Sequence, residues 1–320
     1  MLKFLVILLD DTSISYCHYK NEKQERKLIT LEDLKSGILF AMKENLMIQF
    51  VYPEYELPQD YKDAIHSIDH TKIVPARSTE SGDVVVLDGW TDFKECAFEE
   101  NIAYVLRTCK DEFFKNCMQI KENLGKINRL NVVLTDIENF VEKDFDAYNQ
   151  CLCSLNDEIE RLYISGKTPQ LNLLTDRMML TEMNNCNAGC ENVTLAPDGK
   201  FYVCPAFYQG DSKTILEDKA SSIGDLQHGL DIKNPQLYRL THAPLCRKCD
   251  AYQCKRCVWI NRKTTLEINS PSHEQCVISH LERNASRTLL ANIRKHGVFL
   301  PEVKINEIAY LDPFDIKDEW

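Results

Sequence analysis

Cysteine spacing constrains this chain more than any other feature. The segment CRKCDAYQCKRC at positions 246–257 places four cysteines within twelve residues. The chain has 14 cysteines in 320 residues, and the eight in its second half lie between positions 186 and 276: Cys186, Cys190, Cys204, Cys246, Cys249, Cys254, Cys257 and Cys276. The segment 186–276 is rich in glycine and turn signals and has little continuous apolar periodicity. It is therefore predicted to fold around bound metal.

The spacing restricts how these thiolates can share a metal. A Cys-x-x-Cys pair presents two sulfurs to one metal, and two pairs complete a tetrahedral set. One zinc would leave four cysteines unused, whereas two zincs or two four-iron clusters would use all eight. Only Asp-Ala-Tyr-Gln separates Cys249 from Cys254, a shorter gap than the usual spacer of about a dozen residues in a zinc ribbon. Neighbouring cysteines are therefore predicted to serve different centres, with zinc and iron–sulfur both open.

Charge and hydropathy narrow the classes of partner. The formal net charge is -11, which argues against nucleic acid and anionic membranes, because both need a basic face. A basic peptide or a protein partner suits such a surface better. The N-terminal apolar run at 4–9 is too short to span a membrane, and no small-residue cleavage site follows it, so it is predicted to be a buried strand. A cytoplasmic protein with reduced cysteines is expected.

The first 180 residues alternate between strand-like and helix-like segments. Strands are predicted at 4–9, 46–52, 71–75, 83–87 and 130–135, and helices at 29–45, 59–68, 98–122 and 145–164. Within 98–122, Cys109 and Cys117 are predicted to be buried as small hydrophobic residues. This alternation is typical of βαβ units around a parallel sheet, with functional groups at the carboxyl ends of the strands. At this length, two domains are expected.

The cysteine-rich segment resembles the SPASM domain, the C-terminal extension of many radical SAM enzymes that mature ribosomally made peptides. That domain has a first cysteine, a glycine followed by a second cysteine, a compact four-cysteine run and a final cysteine. Cys186, Gly199, Cys204, the run 246–257 and Cys276 fill those places. The run is spaced x2, x4, x2, whereas the family's is usually x2, x5, x3.

The resemblance implies two auxiliary [4Fe-4S] clusters with interleaved ligands, zinc being the alternative. One cluster would take Cys186, Cys190, Cys204 and Cys257. The other would take Cys246, Cys249, Cys254 and Cys276.

The resemblance also predicts what the first half should contain. A radical SAM enzyme carries Cys-x-x-x-Cys-x-x-Cys after its first strand, because three thiolates leave one iron open to chelate SAM. The corresponding loop is DDTSISYCHYKN, in which Cys17 stands at the third cysteine position and Asp10 and Ile14 stand at the first two. The family's glycine-rich turn after the second strand is replaced by YPEYELP. A radical SAM-like barrel that has lost SAM cleavage is therefore implied, and no SAM is expected.

Three stretches more narrowly resemble the CXXX-repeat peptide maturase family: LLDDTSISYCHY, KENLMIQFVYPEYELP and YQCKRCVWINRKTTLEINSPSHEQC. The implied fold is α/β, a partial (β/α) barrel of radical SAM type at 1–180 followed by a small, loop-rich, Cys-rich SPASM-like domain at 181–280. A C-terminal helix ending at Gly297 and a tail fill 281–320. The implied partners are a Cys-rich precursor peptide and a SAM-competent enzyme.

Residues outside the eight cysteines are further candidates. Cys17 and His18 could form a nucleophile and base, and Asp10 with Asp11 could bind a cation or a substrate amine, although capping aspartates are commoner. Three histidines could replace a ligand: His242, His273 and His280. A basic cluster could offset the charge of ligated iron or bind an acidic leader peptide: Lys248, Lys255, Arg256, Arg262 and Lys263.

Two hypotheses from different classes follow. In the first, the chain is an iron–sulfur component of a peptide-maturation system that binds or helps modify its peptide. In the second, the cysteines bind zinc, and the chain is a scaffold or recognition module without a redox role. An enzyme with a non-SAM activity centred on the Cys17 loop is a third possibility.

Overall fold

The strands of the chain form one sheet. The computed structural model describes residues 2–210 and 222–297. Eleven strands lie in these ranges: β1 Phe4–Leu8, β2 Met47–Val51, β3 Thr71–Pro75, β4 Val84–Asp88, β5 Ala103–Thr108, β6 Arg129–Leu134, β7 Gln170–Leu171, β8 Asn192–Leu195, β9 Lys200–Tyr202, β10 Ser222–Asp225 and β11 Gly229–Leu230.

The helices mostly connect successive strands. They are α1 Leu31–Lys43, α2 Gln59–His66, α3 Trp90–Glu95, α4 Lys110–Asn123, α5 Glu142–Ile164, α6 Thr175–Met179, α7 Ala206–Gln209, α8 Val258–Thr265 and α9 His273–Lys295. Thr30 caps α1, accepting a hydrogen bond from the Asp33 amide at 3.0 Å. None of the helices in the described ranges combines the length and apolar character that a membrane crossing requires.

The sheet is parallel through most of its width. Its strand order is β11-β10-β9-β8-β1-β2-β3-β4-β5-β6-β7. Strands β1 to β7 are parallel to their neighbours, and β8 pairs in parallel with the other side of β1. Strands β8 to β11 then form an antiparallel meander. The sheet thus continues across the predicted boundary at 180/181, and the boundary itself stays a prediction.

Side chains on the two faces of the sheet enter different cores, as expected from the two-residue period of a strand. Leu5 and Ile7 pack with α1, whereas Val6 and Leu8 pack on the opposite, inner face. A third core lies between β4 to β6 and the helices α4, α5 and α9. Tyr16, from the loop after β1, packs against the inner face, so this loop lies on that side of the sheet.

One predicted helix is wrong in its first half. The stretch 98–122 contains β5 at Ala103–Thr108, and a helix begins only at Lys110. The residues AYVLRT are buried between β4 and β6. A short apolar run buried on both faces has neither helical nor strand periodicity. The sequence pattern therefore does not distinguish this strand from the helix that follows it. Cys117 is buried on α4 as predicted, whereas Cys109 is half-buried at its N-cap.

The C-terminal helix begins earlier than the sequence pattern indicated. Helix α9 starts at His273, after the Ser272 side chain accepts a hydrogen bond from the Gln275 amide at 3.2 Å. The polar first turn conceals this start, although serine followed by a glutamine at the third helical position is a capping signal. The predicted tail after position 297 lies outside the described residues.

Candidate functional site

The loop at 244–257 and the start of α9 enclose a cavity of about 340 Å³, here called the loop cavity. Four cysteines line it: Cys246, Cys249, Cys254 and Cys276. These are the members of the second predicted ligand set, so the fold brings that set together. Their role as ligands stays a prediction.

Backbone amides point at the thiols of the loop cavity. The amides of Ala251 and Arg256 lie 3.4 Å from the sulfurs of Cys249 and Cys254, respectively. Cys276 comes from the first turn of α9. Hydrogen bonds to sulfur favour the charged thiolate over the neutral thiol, and the thiolate is the form that binds metal.

A second cavity, of about 230 Å³, lies against Phe4, Val6 and Gln49 on the inner face of the sheet and is here called the barrel cavity. Four cysteines line it: Cys17, Cys186, Cys204 and Cys257. Three of them belong to the first predicted ligand set. Its fourth member, Cys190, does not line this cavity within the described part of the chain and packs against the core beneath α1.

Arg256 separates the two cavities along the chain. Its φ of 45° is in the left-handed region, where a non-glycine residue is uncommon. This turn lets Cys254 face the loop cavity and Cys257 face the barrel cavity, although only two residues separate them. The guanidinium is buried, with Nε donating to the Asn185 side chain at 3.2 Å and Nη2 to the Tyr238 carbonyl at 2.7 Å.

One nitrogen of the Arg256 guanidinium is available to a group bound in the loop cavity. Among the described residues Nη1 has no hydrogen-bond partner although it is buried, and the side chain lines the loop cavity. A buried, unpaired guanidinium nitrogen is costly. An anionic group inside the cavity would satisfy it, and a thiolate-ligated iron–sulfur cluster is such a group.

The thiols of both cavities are neutral unless a cation is bound. Burial raises the pKa of Cys17 and Cys204, and the charge of neighbouring thiols raises it further. In the same way, burial raises the pKa of Cys257 to about 12 and that of Cys246 to about 12. Such thiols hold their protons at neutral pH. A bound metal displaces those protons because it supplies the opposite charge.

The number of thiols in each cavity matches the number of ligands of a four-iron cluster. Within residues 2–210 and 222–297, no three His, Cys, Asp or Glu side chains are placed around one metal ion. A zinc site needs four sulfurs about 2.3 Å from one centre, whereas a four-iron cluster takes one thiolate at each iron. Four thiols spread around a cavity of about 230 or 340 Å³ therefore fit the cluster as a donor set.

The loop that carries Cys186 depends on a glycine. Gly189 has a φ of +77°, and a Cβ there would lie 2.5 Å from Cδ1 of Tyr238. Gly189→Ala is therefore expected to lower the free energy of unfolding by about 2–4 kcal/mol, from left-handed backbone strain and overpacking. Gly229 has the same φ with open space around it, so Gly229→Ala should cost only about 1–2 kcal/mol. Urea unfolding measures both, and equal losses would exclude the Tyr238 contact as a cause.

A buried ion network supports the loop cavity from below. The Asp250 carboxylate accepts a hydrogen bond from Arg283 Nη1 at 2.9 Å and lies 3.5 Å from Arg177 Nη2. The Asp250 carbonyl accepts from Arg177 Nε at 2.6 Å. All three residues are buried. The residue that follows Cys249 is thus fixed to α6 and α9.

Glu282, on α9, is a second buried carboxyl group beside this network. It accepts hydrogen bonds from Tyr148 Oη at 2.7 Å and Gln253 Nε2 at 3.2 Å, yet burial raises its pKa to about 7 from an ordinary 4.5. Between these values the unfolded chain loses the proton and the folded chain keeps it, so stability is expected to fall as pH rises.

The free energy of unfolding is expected to fall by about 1.4 kcal/mol per pH unit, and the fall should end near pH 7. Glu282→Gln should remove it, and Glu142→Gln, at an exposed position, should retain it. Urea unfolding at several pH values measures this, and an unchanged slope in Glu282→Gln would assign the pH dependence to another group.

Asp10 and Asp11 hold the loop after β1. Asp10 is fully buried, and its carboxylate accepts from the Thr12 amide at 2.8 Å and from Tyr55 Oη at 2.7 Å. Asp11 accepts from Tyr208 Oη. Both carboxylates thus have protein donors, which corresponds to the capping alternative, and Asp10 as a catalytic candidate stays a prediction.

Two residues that position this loop were missed in the sequence. Arg107, at the end of β5, donates to the carbonyls of Cys17 at 3.1 Å and Tyr19 at 2.6 Å. Gln209 donates to the carbonyls of Asp11 and Ser13, each at 3.0 Å. The only signal for Arg107 is an arginine at the carboxyl end of an apolar strand, and Gln209 has none, because its partners are distant in sequence.

His18 has an orienting partner that sequence could not assign. Its Nδ1 lies 2.7 Å from the Leu134 carbonyl, which can only accept, so Nδ1 carries the proton. Burial lowers the pKa of His18, which keeps the ring neutral at physiological pH. Cys17 and His18 both line the barrel cavity, and their pairing as nucleophile and base stays a prediction.

The other candidates occupy different environments. His280 lines the loop cavity, with Nε2 3.4 Å from the Cys249 sulfur, whereas His273 packs against the Phe145 ring and His242 is exposed. Within the basic cluster only Arg256 is buried, and Lys263 pairs with Glu138.

Solved structures with this fold include those of anSMEcpe, an anaerobic sulfatase-maturating enzyme of the radical SAM and SPASM type. The histidine-tagged enzyme with bound AdoMet matches with a TM-score of 0.60 at 14% identity, covering 92% of this chain and 96% of that chain. The native enzyme with AdoMet and the Cp18Cys peptide gives 0.60 at 15% identity, covering 92% and 100%. With the Kp18Cys peptide it gives 0.56 at 13% identity, covering 91% and 99%.

These likenesses confirm the predicted α/β partial barrel of radical SAM type. They concern the fold alone, and the narrower resemblance to the CXXX-repeat peptide maturases stays a prediction. No family model and no curated protein sequence matches the chain significantly.

Proposed function

We propose that this chain is an iron–sulfur protein of a peptide-maturation system, which binds or helps modify a Cys-repeat precursor peptide without cleaving SAM itself. The observation that carries the proposal is the division of eight thiols into two cavities of four, on either side of Arg256. Each cavity has the four sulfur donors that a [4Fe-4S] cluster needs.

Iron–sulfur ligation is favoured over zinc by the resemblance of the cysteine-rich segment to the SPASM domain. Arg256 Nη1, buried without a partner among the described residues, suits a thiolate-ligated centre of either metal, because both remain anionic after ligation. A cluster would supply electron transfer. The chain's own residues hold it and exclude water. In the barrel cavity, Phe4, Val6 and Trp259 provide apolar walls, and such walls influence the reduction potential of a cluster.

The loop after β1 supports the absence of SAM cleavage. Ile14, at the second expected cysteine position, packs against the inner face of the sheet and donates its amide to the Tyr52 carbonyl at 3.0 Å. Asp10, at the first position, is fully buried. A cluster that binds SAM needs three thiolates from this loop, and the loop has one. A SAM-competent partner enzyme is therefore part of the proposal.

The peptide partner is inferred from the resemblance and from the fold. Structures of anSMEcpe include complexes with the Cp18Cys and Kp18Cys peptides. By analogy, a peptide would reach this chain's barrel cavity, where Cys186 is exposed and three thiols are half-buried. A peptide cysteine at the mouth of the cavity would pack against its apolar walls, whereas a serine hydroxyl there would be buried without a partner, which costs about 1–3 kcal/mol.

Anaerobic calorimetry with the cluster-loaded protein tests the proposal. A synthetic Cys-repeat peptide is expected to bind at least about ten-fold more tightly than the same peptide with serine, or about 1.4 kcal/mol. SAM is expected to give no binding heat and no adenosyl product with a low-potential reductant. Equal affinity for the two peptides would remove peptide-thiol recognition from the proposal, and SAM turnover would overturn the claim about SAM.

A further inference from the structure

We propose that Cys17, the single cysteine of the loop after β1, is the fourth ligand of the centre in the barrel cavity, and that Cys190 is not a ligand. The ligand set is then Cys17, Cys186, Cys204 and Cys257. This inference rests on the proposed function, because it assumes that the cavity holds an iron–sulfur cluster.

The cavity itself selects these four residues. They come from four separate segments: the loop after β1, the loop before β8, the turn after β9 and the N-cap of α8. All four line the same cavity of about 230 Å³.

The backbone at Cys17 and in the two residues after it is held in place. The Cys17 carbonyl accepts from Arg107 Nε, the Tyr19 carbonyl accepts from Arg107 Nη2, and Asp88 pairs with Arg107 Nη1 at 2.5 Å. His18 is fixed by its bond to the Leu134 carbonyl. Since this stretch is fixed, the Cys17 thiol is directed into the cavity at little entropic cost when a ligand binds.

Cys190 lies in a different environment. Its amide bonds the Asn187 carbonyl at 3.0 Å within the turn that contains Gly189. Its side chain packs against the core that includes Leu5 and Ile7, beneath α1. Cys190 is thus used as a small hydrophobic residue.

This assignment links the two halves of the chain. A cluster held by Cys17 and by three cysteines of the second half joins the first loop to the cysteine-rich segment. It also uses the thiolate that would otherwise remain for a SAM-binding cluster. The use of Cys17 as a ligand of the barrel centre then accounts both for the completion of that centre and for the lack of a SAM-binding cluster.

The test uses a protein in which the loop cavity is disabled by Cys246→Ala and Cys254→Ala. After anaerobic reconstitution with ferrous iron and sulfide, this parent should hold about four irons per chain. Adding Cys17→Ala should reduce iron to below about one per chain or leave a cluster that a chelator removes at least about ten-fold faster, because one iron loses its thiolate. Adding Cys190→Ala should leave iron content and release rate unchanged, as should Cys153→Ala, at an exposed position on α5.

The assignment would be overturned if the Cys190 variant lost iron and the Cys17 variant retained it. It would also be overturned if neither variant changed in iron content or release rate. A parent without iron would instead overturn the proposed function. Thiol alkylation read by mass spectrometry adds a test that needs no variant. Cys17 should be protected in the loaded protein and labelled after iron removal, whereas equal labelling of Cys17 in both forms would overturn the assignment.

Discussion

Cys254→Ala and Cys257→Ala are each expected to lower the iron content of the reconstituted protein from about eight to about four per chain. The reason is that the two cysteines face different cavities although only Lys255 and Arg256 separate them. The double variant should then hold almost no iron, because losses at independent sites add. Iron is measured by colorimetric assay after anaerobic reconstitution.

The double variant is the informative member of this series. If both cysteines served one centre, the double variant would lose no more iron than either single variant. Cys153→Ala, at an exposed position on α5, is the matched control and should keep about eight irons. A double variant that retains about four irons would contradict the division of the thiols at Arg256.

Asp250→Asn is expected to lower the free energy of unfolding by about 3–5 kcal/mol, because it leaves Arg177 and Arg283 buried without their carboxylate. Asparagine has nearly the same volume, so the loss reports charge and not packing. The measurement is urea unfolding of the metal-free protein under reducing conditions.

Asp231→Asn provides the control for this prediction. Asp231 pairs with Lys233 at 2.6 Å, and both side chains are exposed, so the loss should be below about 1 kcal/mol. A change in Asp250→Asn no larger than in this control would contradict the role assigned to the buried network. Iron loading of Asp250→Asn should also weaken, because Asp250 follows Cys249 directly.

The sequence predicted the alternation of the fold well, because βαβ units leave a strong pattern. Most strands and helices lie within two or three residues of their predicted bounds, as with β3 at Thr71–Pro75. The exception, β5, is short and buried on both faces, and in such a run burial hides the periodicity. The start of α9 was missed because its first turn is polar.

The site could be predicted only in part, for a physical reason. The resemblance implied that Cys254 and Cys257 serve different centres, and the turn that makes them face different cavities depends on the conformation of Arg256, which spacing does not contain. Cys190 entered the first predicted ligand set through the resemblance, and its replacement by Cys17 is our proposal. Cys17 is distant in sequence and enters the barrel cavity only because the parallel sheet places β1 beside β8.

Iron and acid-labile sulfide content, measured with an absorption spectrum on protein purified and reconstituted without oxygen, tests the central claim most directly. The account predicts about eight irons and eight sulfides per chain and a brown protein, since eight thiolates shared between two cavities hold two four-iron clusters. One or two zincs per chain, no sulfide and a colourless solution would contradict it.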